Sequence, residues 1–249
     1  MHLPHVKYLS LSATLLVALM ATGCATGPNA NPKDPLEPMN RSISGFNDSL
    51  DKNVLKPVAT TYRDVTPQLV QTGVSNFFNN LGDVLTTVNS GLQLKGRDTA
   101  ESFMRVVVNT TAGVYGIFDV ATKIGLERHK EDFGQTLGYW GVPNGPYLVL
   151  PVLGPSTLRD ASVIPVEYSI DPVSNMNSVP ARNTLTATRI VDKRASLLKA
   201  DNLLTEAALD KYSFTRDSYL QYRRNLVYDG NPPEEDDLPD PSSDPASAK

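Results

Sequence analysis

Apolar residues recur along most of the chain with the period of a helix. Met39, Ile43, Phe46 and Leu50 fall at i, i+4, i+7 and i+11, which predicts one apolar stripe on a helix. Asp34 stands where an N-cap belongs, Pro35 at the first helical position, and Glu37 completes a capping box. A second helix is predicted from Thr66–Pro67, carrying Leu69, Val70, Val74, Phe77, Phe78 and Leu81 and continuing through Val84, Leu85, Val88 and Leu92, with Gly82 and Gly91 as candidate breaks. A third begins near Asp98 and carries Phe103, Val106, Val107 and Val108. Pro180–Lys199 and Leu203–Tyr228 read as two more. No alternation of period two is sustained; "PYLVLPVL" (146–153) is the one candidate strand, and its prolines confine it to an edge or an extended loop.

Charge is missing where a soluble helix would display it. Between Thr66 and Leu94 the single charged residue is Asp83, between Val106 and Thr122 it is Asp119, and Phe133 to Leu158 has none. The faces opposite the apolar stripes offer Thr, Asn, Gln, Ser and Gly in place of Lys and Glu. Two architectures fit: amphipathic helices lying within or along a membrane, polar faces turned to each other or to an enclosed channel, or a water-soluble helical core of low charge. No run reaches the roughly 18 apolar residues of a membrane span.

The stretch Phe133–Asp160 has five glycines and four prolines, too dense for a helix interior, yet "YLVLPVL" is too apolar for an ordinary loop. It reads as a hairpin in which Gly134, Gly138, Gly141, Gly145 and Gly154 allow tight turns. If the helices lie in a membrane, Leu148, Val149, Leu150, Val152 and Leu153 would face acyl chains, with Tyr139, Trp140 and Tyr147 at headgroup depth; the other reading is a surface loop packed on the core.

The ends differ from the middle. Lys7, the apolar run Leu9–Met20 and "ATGC" (21–24) have the form of a signal peptide, residues 1–23. Cys24, the one cysteine, has no intramolecular partner, and its setting is similar to the lipobox of bacterial lipoproteins, with Ala21 where leucine is usual. Residues 24–33 then form a lipidated linker, 34–230 a single helical domain, and 231–249 an acidic Pro/Ser-rich tail expected to be disordered. The formal charge of −4 becomes −5 without Lys7, and the tail holds six carboxylates against Lys249, so residues 24–230 are formally neutral. A neutral body argues against nucleic-acid binding.

Catalysis lacks its parts. His129 is the one histidine beyond the signal peptide and lies in "ERHKED", a charge-mixed turn; Ser156 lacks a nucleophile-elbow pattern, and "GVYG" (113–116, as Gly113-Val114-Tyr115-Gly116) is no phosphate loop. Asn109-Thr110-Thr111 matches a sequon, which in a bacterial lipoprotein serves local hydrogen bonding. No enzyme and no metal site is expected.

Six blocks in order carry a resemblance: "DPLEPMNRSISGFND" (34–48), "LKPVATTYRD" (55–64), "SNFFNNL" (75–81), "RVVVNTTAGVYGIFDVA" (105–121), "DFGQTLGYWGVPNGPYLVLPVLGPSTLRD" (132–160) and "YSFTRDSYLQYRR" (212–224). Together they are similar to the MlaA/VacJ family of outer-membrane lipoproteins, with 161–179 and the tail unmatched. The resemblance implies an all-α fold, a ring-like bundle embedded in the inner leaflet of the outer membrane around an amphipathic channel. It implies association with a porin trimer and delivery of mislocalised phospholipid to the periplasmic carrier MlaC, which maintains lipid asymmetry. The family motif falls on Asp34, Pro35, Glu37, Asn40, Arg41, Phe46 and Asn47; Cys24 is the acylated residue, and no cofactor is implied beyond its acyl chains and transient phospholipid. The Gly/Pro-rich hairpin would lie at the channel mouth, its lining uncharged so that a headgroup is not held. Arg216, Tyr219, Arg223 and Arg224 would face the carrier. An adaptor that tethers porin or carrier without conducting lipid is the other function carried forward.

Overall fold

The computed structural model describes residues 31–207 and 210–233. Its first rod is continuous: α1 (Glu37–Leu50), a π-helical turn (Asp51–Leu55) and α2 (Lys56–Val65). The wide turn has a cause in the sequence. Pro57 lacks an N–H and its ring would press on the carbonyl four residues back, so the helix widens just before it and does not break. The rod does not begin with a capping box. Its N-cap is Leu36 with no side-chain hydrogen bond, and Asp34 is fully buried and used elsewhere.

α3 (Gln68–Leu92) runs without interruption for 25 residues, so neither Gly82 nor Gly91 breaks it. It turns at Leu94 into α4 (Gly96–Thr111), and these two helices share the most extensive helix–helix contact. A short α5 (Val120–Lys123) and a loop come next. Within the glycine-rich stretch α6 (Phe133–Tyr139) forms after all, because Asp132 Oδ1 caps its start by accepting from the Gln135 N–H at 2.8 Å. Gly134 and Gly138 therefore belong to a helix and not to the hairpin.

The hairpin itself is β1 (Tyr147–Leu150) against β2 (Gly154–Thr157), antiparallel, in register Tyr147↔Thr157 to Leu150↔Gly154. Thr157 caps α7 (Leu158–Ile170), which occupies the first part of the 161–179 stretch outside the six blocks. α8 (Val179–Ala207) packs along α2 and reaches α3. It covers Leu203, so the predicted Leu203–Tyr228 helix is split: α9 (Lys211–Val227) starts afresh, with Asp210 accepting from the Tyr212 N–H.

Polarity is inverted relative to a soluble bundle. Among the described residues twenty polar or charged side chains are buried against eight apolar ones. α3 buries Asn80, Asp83, Thr86, Asn89 and Ser90, and α4 buries Ser102, Arg105 and Asn109. Their apolar stripes face outward: Leu69 is 87% exposed, and Val70, Val88, Leu92, Phe103, Met104 and Val107 are exposed with it. No described helix is long and apolar enough to cross a membrane.

Candidate functional site

The interior is built on three ionic clusters, each tying elements distant in sequence. In the first, α3 supplies Asp83 and α4 supplies Arg105; their contact is 3.3 Å, Arg105 also meets Asp119 at 3.1 Å, and Arg128 reaches Asp83 at 3.1 Å. The Asp119 carboxyl is held at about 2: burial works to raise it, and the Thr122 hydroxyl and amide overcome that, with Asn109 and Arg105 adding to them. Asp83 behaves oppositely, since burial outweighs both arginines and pushes its carboxyl above the ordinary range.

The second cluster joins α1, β1 and α9. Asn40 donates from Nδ2 to Asp34 Oδ1 at 2.8 Å and to the Tyr147 carbonyl at 3.0 Å, while its Oδ1 accepts from the Val149 N–H at 2.9 Å. Two turns on, Asn47 donates to the Leu150 carbonyl at 2.9 Å and accepts from the Val152 N–H at 2.7 Å. One face of α1, together with the Lys33 carbonyl that accepts from the Tyr147 N–H at 3.1 Å, thus serves β1 as a third strand would. Asp34, with no exposed surface, accepts from the Tyr212 hydroxyl and from Arg216.

The third cluster joins α6, α7 and α9 through Arg223, which meets Asp132 at 2.5 Å and Asp160 at 2.9 Å, with the Tyr219 hydroxyl donating to Asp160 at 3.1 Å. Here Gly134 and Gly138 find their use. A Cβ on Gly134 would stand 2.3 Å from Asp160 Oδ1, and one on Gly138 2.6 Å from Arg159 Nη1. They let α6 approach the ion pairs, which is packing and not loop flexibility.

Several expected placements are corrected by these contacts. Tyr147 is 1% exposed and stacks edge-on against Tyr212 and Tyr219, so it is core, and so is Val149; neither lies at headgroup depth or against acyl chains. Their direction follows from the pleat: Tyr147 and Val149 point in, and Leu148 and Leu150 are only partly covered. Tyr139 and Trp140 are exposed, the indole N–H donating to the Leu92 carbonyl at 3.1 Å. The hairpin tip, Val152 and Leu153, is also exposed. Arg216 and Arg223 are buried in ion pairs and Tyr219 packs on Tyr147, so these three are not surface groups; Arg224 lines the outer face of α9. In the family motif, Phe46 faces outward, and Arg41 pairs with Glu37 at 2.8 Å and Asp210 at 2.7 Å. Pro35 lies in the turn before α1, and Gly141, Gly145 and Gly154 take positive φ at turns. Cys24 and the tail beyond Pro233 lie outside the described residues.

His129 is not a free solvated group: its Nε2 lies 2.8 Å from Glu101 Oε2 and 3.8 Å from Asp98. Glu101, Glu127 and His129 bring ligand atoms within 4.8 Å of one another, but Arg97 already holds Glu101 at 2.9 Å and approaches Glu127 at 4.0 Å.

A cavity of about 370 Å³ lies among α3, the segment before α6, and α9. Phe78, Leu85 and Leu226 give it apolar walls, while Arg128, Lys130 and Gln135 give polar ones; Gln135 is buried with its Oε1 unpaired. Sequence periodicity could not find this space, because it is assembled from three segments spread between Phe78 and Leu226.

Comparison with known proteins agrees with this architecture. The family model for the MlaA lipoprotein matches residues 32–226. The Escherichia coli K12 protein named intermembrane phospholipid transport system lipoprotein MlaA is 34% identical over 228 residues, covering 89% of this chain and 90% of its own. The Haemophilus influenzae protein of the same name is 30% identical over 245 residues, covering 94% and 97%. A solved chain, reported as "Structural basis for maintenance of bacterial outer membrane lipid asymmetry", superposes with a TM-score of 0.69 at 33% identity, covering 78% of this chain and 98% of that one. This mostly helical chain with an inverted polar interior belongs to the MlaA lipoprotein family.

Proposed function

We propose that this protein moves phospholipid at the bacterial outer membrane, taking mislocalised molecules from the outer leaflet and passing them to the periplasmic carrier MlaC. The single observation that carries this reading is the inverted polarity: apolar helix faces outward, hydrogen-bonding and charged groups inward. In water such a surface is costly, at about 25 cal/mol for each Å² of apolar area left wetted; in acyl chains the cost disappears. A protein seated in one leaflet solves the problem without a spanning helix. Acyl chains on Cys24, after removal of residues 1–23, would hold it to the inner leaflet, and a porin trimer would flank its apolar rim. The phosphate-bearing headgroup would travel along the polar interior, where the fixed charges are already paired and therefore do not trap it. No catalytic step is assigned to it.

The test is a deletion strain. Loss of the protein is expected to raise outer-leaflet phospholipid and to sensitise cells to detergent with chelator; unchanged lipid distribution would overturn the reading. An adaptor that only tethers porin or carrier would also give that phenotype, so a second variant separates the two. Gly82 lines the 370 Å³ cavity and nothing lies within 4 Å of a Cβ built on it, so Gly82→Trp fills the space without a clash at its root. Conduction predicts lost asymmetry with porin and carrier still co-purifying; an adaptor predicts normal asymmetry. Gly138→Trp is unsuitable, because that position is packed against Arg159 and Val227.

A further inference from the structure

Outside the three ionic clusters, an imidazole and three carboxylates converge beside the start of α4. Asp98 and Glu101 stand three residues apart, which puts them on one face of that helix. Glu127 and His129 come from the segment after α5, which has no regular structure. Glu101, Glu127 and His129 hold donor atoms within 4.8 Å of one another. His129 Nε2 lies 2.8 Å from Glu101 Oε2 and 3.8 Å from Asp98 Oδ1. Donors about 2.1 Å from a tetrahedral zinc ion stand about 3.4 Å apart, so the two separations bracket the spacing that such an ion needs.

Charge and orientation both favour a cation at this place. The three carboxylates face one guanidinium, that of Arg97, so with a neutral imidazole two negative charges in the group are unmatched. Arg128, next in sequence to His129, is drawn to Asp83 at 3.1 Å. Arg97 Nε takes Glu101 Oε1 at 2.9 Å, and the other oxygen, Oε2, is the one turned to the imidazole. A carboxylate fixed through one oxygen presents the second in a set direction, as the outer partners of metal ligands do. Asp98, Glu101 and His129 are partly buried while Glu127 is exposed, so three donors are preset and the last closes from the solvent side.

We propose that His129, Glu101 and Glu127, with Asp98 as the fourth donor, bind one divalent cation of the zinc type. The imidazole nitrogen decides the class, since magnesium and calcium take oxygen donors and zinc takes nitrogen with oxygen. The ion ties the first turns of α4 to the segment before α6, where Arg128, His129 and Lys130 wall the cavity of about 370 Å³. It therefore fixes one wall of that cavity. The inference stands on the donor geometry and is independent of lipid transport.

The experiment uses the chain from Cys24 onward in detergent micelles, purified without a histidine tag and stripped with chelator, so that His129 is the one histidine present. Calorimetric titration with Zn²⁺ is expected to show one equivalent bound at micromolar affinity or tighter, with the His129 ring signals shifting in NMR at the same stoichiometry. His129→Ala and Glu101→Gln should each weaken binding by about tenfold or more, the loss of a ligand costing at least as much as the loss of an outer partner. His129→Cys keeps a zinc donor and should retain binding, which separates ligation from folding. Bound Zn²⁺ should also slow amide exchange between Leu126 and Glu131. No binding, or binding unchanged in both His129→Ala and Glu101→Gln, overturns the proposal. Displacement by Mg²⁺ at equal concentration also overturns it, since that marks an acidic surface that holds any divalent cation.

Discussion

Arg105 reaches Asp83 at 3.3 Å across the α3–α4 contact, with 1% and 4% of the two side chains exposed. Asp83 is the single charged residue between Thr66 and Leu94, and Asp119, the single one between Val106 and Thr122, closes on the same guanidinium. Two sequence stretches that avoid charge thus keep one carboxylate each, and both carboxylates meet one arginine. Removing that arginine takes from both carboxylates the partner they share and leaves the buried Asp83 with Arg128 alone. Arg105→Met is expected to cost about 3–5 kcal/mol, read by chemical denaturation, and Asp83→Asn in the same chain to recover part of the loss.

The asparagine pair on α1 predicts a local effect. Asn47→Ala removes both hydrogen bonds to the hairpin, leaving the Val152 N–H and Leu150 carbonyl without them. The cost should be about 1–2 kcal/mol, with amide exchange speeding up at Val152 and Leu153 before it does in α3. Asn47→Asp keeps the acceptor and loses the donor, so it should fall between the two.

The close approach of α6 predicts intolerance of a single methyl group. Gly138→Ala places a carbon 2.6 Å from Arg159 Nη1 and 2.9 Å from Val227 Cγ2, which forces α6 away from α9. A loss of about 1–3 kcal/mol is expected in the same denaturation assay. Gly45→Ala is the control: nothing lies within 4 Å of its Cβ position, and the helix should gain stability.

Glu167 predicts a pH effect with a definite sign. Burial, aided by the nearby Asp132 carboxylate, pushes its carboxyl above the usual range, while its Oε1 accepts from the Phe133 N–H at 3.1 Å. A folded value above the unfolded one means that its contribution is complete below about pH 4 and is lost as pH rises. Glu167→Gln keeps the acceptor and removes the charge. It should be more stable than wild type at pH 7 and indistinguishable from it near pH 4, by urea denaturation at both. Asp132 has the opposite sign: burial raises its carboxyl, but Arg223 overcomes this and holds it low, so its contribution is present at neutral pH and lost on acidification.

Helix type and rough extent were legible wherever the apolar period was long, as in α3 and α4. Terminal signals were weaker guides. Asp34 before Pro35 has the form of a cap, yet the carboxylate is drawn to Asn40, Tyr212 and Arg216, because long-range partners outweigh one local hydrogen bond. Gly134 and Gly138 looked like breakers for a related reason: local propensity counts against glycine in a helix, and only the neighbouring Arg159, Asp160 and Val227 show why a Cβ is excluded. Arg216 and Arg223 carry no mark in sequence that separates a surface cation from a buried one.

The one-dimensional pattern determined by itself that this chain is helical, amphipathic and short of charge on its outer faces, since periodicity and composition are local quantities. It also marked 146–153 as the one candidate strand, through a short apolar run bounded by proline and glycine. Which polar residue meets which was decided only by the tertiary structure. The closing of Asp83 and Asp119 on Arg105, the fit of Asn40 and Asn47 to a strand edge and the cavity between α3 and α9 depend on distances between segments far apart in the chain. Those distances are set by the packing of whole helices.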